Sequence, residues 1–493
     1  PERRGLRAKL GEALANAGRG PEAATAYLAA AEGVAPAQAV ELQGRAAMQF
    51  LISGHVDDGL AVVRTVLRAV GMKLPGSPRR ALWSLLVRRA LLWLRGLRFR
   101  ERAAGQVPAA ELTRIDICWS VAAGLSIIDP IRASDFQARH LLGTLHAGEP
   151  SRIARALAME AVQVSIVGGR SRRRAEPLLQ KADALAQRVS SPYALGSVAL
   201  ARGSSAYFAG RWKMAAEWCD QAETIFRDHC TGVAWELDIA HTFALTSLTY
   251  MGEVAELSRR LPVLLAEAQE RGDRFALTNL KTYLLSFLRL AADDPERARR
   301  ESSEALGEWS QQGFHVQHMT GLFAQVHIDL YCRQGQAAWQ HITEQWPAVK
   351  RSLVLRVQRL RVYYRYQHAC SALAAAVAGA KAGPLLHTAE QDARQMEHER
   401  EPWSEALARL VRAGVAAFRG DTPSAVALLV DAAARLEAAD MRLWAAAARR
   451  RQGQLVGGDA GCGLVAQADS WMMGQGVKAP ARLTAMYAPG FLD

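Results

Sequence analysis

The sequence is as informative in what it lacks as in what it holds. Its six cysteines (Cys118, Cys219, Cys230, Cys332, Cys370, Cys462) form no Cys-x-x-Cys pair and lie far apart. That spacing argues against disulfides or a metal site, and reads as buried free thiols in a reducing compartment. No apolar run reaches the roughly 18 residues that cross a bilayer. The N-terminus carries nothing like a signal peptide, so a cytoplasmic location is expected. Lysine is scarce, with 8 against 53 arginines. Strand formers are sparse while Ala, Leu, Arg and Glu dominate, which favours helix throughout.

Catalytic signatures are also missing. The Gly-rich stretch Gly457 to Gly463 lacks the Lys-Ser/Thr with which a P-loop reaches phosphate and magnesium, and reads as a hairpin turn. No His-Arg-Asp or Asp-Phe-Gly triplet and no Gly-x-Ser-x-Gly elbow occurs, and Asp135-Phe136-Gln137 is only superficially similar to the second of these. His315, His318 and His327 lack the further ligands that zinc needs, and read as ordinary polar residues of a hairpin. No catalytic, cofactor-binding or metal-binding residue is assigned.

What is present is a period. Turn residues Gly168, Gly210, Gly252, Asp293 and Gly335 follow one another at 42, 42, 41 and 42 residues, and Gly379 to Pro384, Gly420 and Gly457 continue the series. A fixed period of this size marks a stack of supersecondary units. The clearest copy runs from Arg202 to Phe226, with small residues Gly203, Ala215 and Ala222 where two helices would cross closely. The expected fold is all-α: a right-handed α-solenoid of tetratricopeptide-like hairpins with helices of roughly 18 residues, each about 27 Å long. A HEAT-like array is the alternative. The expected divisions are hairpins over 1–71, a basic insertion over 72–110, the repeat array over 111–473, and a cap over 474–493.

The net charge of +13 is concentrated in one place. Residues 72–110 hold nine basic residues and one acidic one. On a helix at 100° per residue, Arg80, Arg88, Arg95, Arg98 and Arg102 fall in one stripe. Such a helix fits an anionic membrane surface or an acidic partner. The competing reading is a capping helix that packs Leu82, Leu86, Trp93 and Leu97 on the solenoid and leaves its arginines solvated, with Gly96 weakening its continuity. The runs Arg172 to Arg174 and Arg356, Arg359, Arg361, Arg365 admit phosphate binding and solvated faces alike, and nucleic acid is the less favoured partner. First helices of tetratricopeptide arrays line the concave groove. Asp116 with Trp119, and Trp235 with Asp238 and His241, are therefore the candidate partner-binding residues, with repeat packing as the plainer alternative.

Several stretches point to one context. RIDICWSVAAGLSIIDPIRASDFQARHLL (Arg114 to Leu142), GEPSRIARALAMEA (Gly148 to Ala161), CTGVAWELD (Cys230 to Asp238), LRGLRFRER (Leu94 to Arg102) and the tail from Ala439 to the APGF ending at Phe491 resemble the C-terminal helical region of large bacterial serine/threonine protein kinases. In that family an ATPase of the AAA/STAND type lies between the kinase and this region. The resemblance implies that Pro1 follows such an ATPase, that the kinase and ATP sites lie outside this chain, and that no catalytic residue carries over. The expected role is a non-catalytic sensor or scaffold in signalling. It would bind a protein or small-molecule effector and bias the attached ATPase and kinase.

Overall fold

The computed structural model describes residues 2–126 and 128–491. Pro1, Ile127 within the first resembling stretch, and the last two positions of the expected cap lie outside them. Among the described residues there is no strand, and consecutive helices pack side by side as antiparallel hairpins along a solenoid. First helices of the array begin at Pro192, Ala234, Arg274, Val316, Gln358, Pro402 and Arg442, at intervals of 40 to 44 residues.

Local chemistry explains where the helices start. Asp129, Asp294 and Asp421 each accept a backbone N–H three residues on, with proline inside the first turn that follows. The side chain satisfies one donor that the helix cannot, and proline lacks an N–H that would go unused there. The hairpin from Pro192–Phe208 to Trp212–His229 shows why small residues recur. Ala215 and Ala222 are fully buried, and a Cβ on Gly203 would lie 2.6 Å from Cys219 Sγ. The helix between Arg274 and Ala291 departs from the rest by a π-helical turn over Leu280–Leu285.

The solenoid winds tightly enough to touch its own next turn. Arg442 pairs with Glu253 at 3.4 Å and Arg482 with Asp293 at 2.7 Å, each across 189 residues. Arg172 reaches Glu401 at 2.7 Å. Near the N-terminus Ser310 donates to Asp57 across 253 residues, part of the excess being the 39-residue segment 72–110. The turns that mark the sequence period supply these seams. Gly210 has φ 70°, and a Cβ there would come 2.2 Å from Trp403 Cδ1. Gly252 lies in the same way against Leu443. An aromatic column runs across the seam: Trp212 on Tyr250, Tyr250 on Trp444, Trp444 on Tyr487, with ring centroids 4.0, 5.6 and 4.2 Å apart.

The segment 72–110 is not one basic helix. Its helix spans Pro78–Arg95 and stops at Gly96, whose φ of 70° carries the chain into an extended run. Arg98 and Arg102 therefore leave the stripe expected for them, and only Arg80, Arg88 and Arg95 belong to the helix. Only part of the expected packing face is used: Leu97 packs on the core and Leu82 is half-buried. Ala81 and Leu92 are buried, whereas Trp83, Leu86 and Trp93 are 72%, 50% and 78% exposed. Buried acids explain the rotation. Arg88 turns toward Asp135 at 3.7 Å and Arg89 pairs with Glu160, both carboxylates being almost wholly buried. Pairing buried Glu160 outweighs covering the larger apolar face, because an unpaired buried carboxylate costs several kcal/mol, whereas Asp135 already has Arg139 at 2.9 Å.

Among the described residues no helix is long and apolar enough to cross a membrane. The cysteines are free, and burial of all six does not hold: Cys118, Cys219 and Cys370 are buried, Cys230 and Cys332 half-buried, and Cys462 exposed.

Candidate functional site

Because successive turns touch, the concave face closes into a chamber where an open array would leave a groove. Its first lobe holds about 90 Å³ between the first helices that begin at Pro192, Ala234, Arg274, Val316 and Gln358, is completed by Ser126, Pro130 and Ile166, and is walled by Tyr207, Phe208, Phe243, Tyr283, Phe323 and Tyr363. A second lobe of about 70 Å³ shares Ser126, Ile166, Phe208 and Phe243 with it and is walled by Trp119, Tyr193 and Trp235. Tyr207 stacks on Phe243 at 4.5 Å, and Tyr283 shares a 2.9 Å hydrogen bond with the Tyr363 hydroxyl, so the walls are fixed by ring packing and by each other. The π-helical turn brings Tyr283 and Leu284 to the wall directly after Asn279. Extra-residue turns of this kind recur at functional sites because they redirect side chains without ending the helix.

One charge stands in the first lobe. Arg359, in the helix Gln358–Val377, is 9% exposed and has no carboxylate partner among the described residues. Its Nη1 donates to the Tyr250 hydroxyl at 3.1 Å, its guanidinium carbon lies 4.8 Å from the Tyr207 ring centroid, and its Nε–H has no acceptor. Burial is the largest effect and works to lower its pKa, but the net shift is upward from an already high guanidinium value, so the side chain stays cationic. Burial pushes those tyrosines up, so they remain neutral and supply no counter-charge. Asn279 accepts from Gln317 Nε2 at 3.2 Å, while its own Nδ2 is buried without an acceptor.

In the second lobe the carboxyl and the arginine each have a partner, although the Arg155 Nε–H has no acceptor. Tyr193 donates to Glu236 at 2.7 Å, and burial holds the Glu236 carboxyl above its ordinary range. Arg155 lies 4.7 Å over the Trp119 ring and pairs with Asp116 at 3.1 Å.

The candidate residues drawn from sequence divide accordingly. Trp119 and Trp235 meet edge to face at 6.0 Å on the wall of the second lobe, and Asp116 fixes Arg155 behind it. Asp238 and His241 are not in the chamber. Asp238 binds Arg271 at 2.8 Å beside Asp273, with burial first and Asp273 second raising its pKa. His241 lies 3.0 Å from Glu223 of the neighbouring helix. Neither basic run is simply a solvated face. Arg172, Arg361 and Arg365 pair with Glu401, Glu399 and Asp392, and Arg359 is buried.

Grouping by sequence proximity put Arg359 in a basic run and missed its place on the chamber wall. A signal was nevertheless present: the 42-residue interval carries Tyr193 to Trp235 and Gln317 to Arg359, all four at the second position of a first helix. An arginine in register with wall aromatics is not placed for solvent.

His315, His318 and His327 are structural. His315 Nδ1 accepts from Trp309 Nε1 at 3.1 Å, His318 Nδ1 accepts the His315 backbone N–H, and buried His327 contacts the Tyr363 hydroxyl at 3.0 Å. Among the described residues no group of three or more His, Cys, Asp or Glu side chains could hold a metal ion. No protein-family model and no curated protein matches this chain.

Proposed function

We propose that the chain is a non-catalytic sensor, a tetratricopeptide-like superhelix that binds a small effector in its chamber and biases an attached ATPase and serine/threonine kinase. The observation that carries this reading is that the chamber wall draws on residues from Trp119 to Tyr363, spread over successive helices, while the seams join those helices to the next turn. A ligand there touches several repeats at once. Occupancy can then favour one pitch of the superhelix, and an effector acts only through such a difference in affinity between two states. The kinase and ATPase part rests on the resemblance, and the coding sequence upstream of Pro1 tests it by the presence of P-loop and kinase motifs.

The chamber itself is tested by melting the protein in the presence of indole or benzyl alcohol. A ligand at 100 times its Kd stabilises by about 2.7 kcal/mol, and the melting temperature should rise with concentration. Thr246→Phe, which fills the first lobe, should abolish the rise while leaving the helical circular dichroism unchanged. A wild-type protein indifferent to both compounds would remove the proposal.

A second reading, attachment to an anionic membrane surface, is favoured by the exposed face of the Pro78–Arg95 helix. Trp83, Leu86, Val87, Leu91, Trp93 and Leu94 all face outward there, and exposed Arg79, Arg80, Arg98, Arg100 and Arg102 flank them. Tryptophan and leucine between arginines suit the headgroup boundary of an anionic bilayer. Trp83→Glu with Trp93→Glu should then end co-sedimentation with phosphatidylglycerol vesicles, and equal sedimentation of the variant would discard this reading. Nucleic-acid binding is less well supported, because Arg172, Arg361 and Arg365 of the basic runs are engaged by acids.

A further inference from the structure

We infer that the chamber takes a small organic carboxylate, whose apolar body lies among the rings and whose carboxylate seats on the free Nε–Nη2 edge of Arg359. This rests on the chamber being an effector site, and adds the chemical class of the effector.

The charge balance comes first. A cation removed from water costs several kcal/mol unless an anion or dense hydrogen bonding compensates it. Arg359 is nine-tenths buried and has one hydroxyl acceptor, one aromatic face and no acid among the described residues. The other buried or half-buried arginines around the concave face (Arg155, Arg361, Arg365) each have their carboxylate. Arg359 is the exception, and it is the one that lines the larger lobe. A bound anion supplies what the fold leaves out.

The hydrogen-bond geometry then selects the type of anion. Nη1 is held by Tyr250, which orients the planar group and leaves Nε–H without an acceptor. The Nε–Nη2 edge presents two parallel donors, the arrangement that a planar carboxylate accepts side-on with both oxygens. The walls select the rest of the molecule. Apart from Arg359 and the unpaired Nδ2 of Asn279, the lobe is lined mainly by Tyr207, Phe208, Phe243 and Leu360 and their apolar neighbours. A compact, strongly hydrated dianion such as phosphate would lose its water without replacement donors. A flat apolar body gains ring contacts instead. Size sets the limit: an apolar cavity of about 150 Å³ accommodates benzene, which neither lobe, of about 90 or 70 Å³, reaches alone, so one ring with its acid group must span both.

The test is isothermal titration of the whole chain with benzoate and phenylacetate, and with their uncharged counterparts benzamide and phenylacetamide. Each acid should bind at least tenfold tighter than its amide. Arg359→Met should erase that ratio without lowering the melting temperature of the ligand-free protein, and Arg359→Lys, which keeps the charge but not the paired donors, should restore only part of it. Equal affinity for acid and amide, or full acid affinity in Arg359→Met, would overturn the inference while leaving the chamber reading intact. Failure of acids, amides and indole alike would remove both.

Discussion

Trp212 lies flat against Tyr250, with ring centroids 4.0 Å apart and planes 8° from parallel, and meets the edge of Trp403 at 5.7 Å. Trp212 and Tyr250 belong to successive hairpins, and Trp403 comes from the next superhelical turn. One indole therefore bridges the two kinds of contact that hold the array together.

If that seam is a packed interface, Trp212→Ala and Trp403→Ala should each cost about 3–5 kcal/mol, the range for truncating a buried tryptophan. Their combination should fall short of the sum by about 0.5–1.5 kcal/mol, the value of an aromatic pair. Urea unfolding of the two single variants and the double variant measures this. Strict additivity would mean that the two rings do not stabilise each other.

Two glycines separate backbone strain from seam packing. Gly210 and Gly420 both have positive φ, at 70° and 78°, but a Cβ would meet a neighbour within 4 Å only at Gly210 of the two. Gly420→Ala should cost about 1–2 kcal/mol, for the left-handed backbone alone. Gly210→Ala adds overpacking against Trp403 and should cost about 2–5 kcal/mol. Equal melting temperatures for the two variants would show that the seam yields freely.

Stability should fall on mild acidification. Burial first, and His318 second, hold His315 at about 4, and burial holds His327 at about 3. Both lie below the unfolded value of about 6.5. The unfolded chain therefore takes up protons that the folded one refuses. The contribution is complete above pH 6.5 and is lost as the pH falls toward 4, at up to about 1.4 kcal/mol per pH unit for each histidine. In His315→Gln the side-chain oxygen can still accept from Trp309, so the loss between pH 6.5 and 4 should shrink while stability at pH 7.5 changes little. Melting temperature against pH gives the slope, and an unchanged slope would count against a neutral His315.

The hairpins are legible in the sequence because each boundary is written locally. Asp294 with Pro295, and Asp421 with Pro423, start helices through groups within three residues, and Gly203 opposite Cys219 reports a close crossing. The chamber is not legible, because its walls come from Tyr207, Phe243, Tyr283 and Tyr363, which are brought together by the pitch of the superhelix. Periodicity says which residues face inward. It does not say how tightly the array coils, and that decides whether Arg359 borders a groove or is enclosed. The segment 72–110 misleads for a related reason: Arg88 and Arg89 have the pattern of surface charge, while their partners Asp135 and Glu160 lie in helices whose placement no local pattern reveals.

The seams also set how this chain can fold. An open array can start at any hairpin and grow by neighbours, since every contact is local in sequence. Here Glu253 waits for Arg442, and Asp57 for Ser310, across 189 and 253 residues. Closing loops of that length precedes any reward from the contact, and folding slows as mean contact separation rises. The last steps of assembly should therefore be slow, concerted closures of one turn on the next, and the chamber exists only once they are complete.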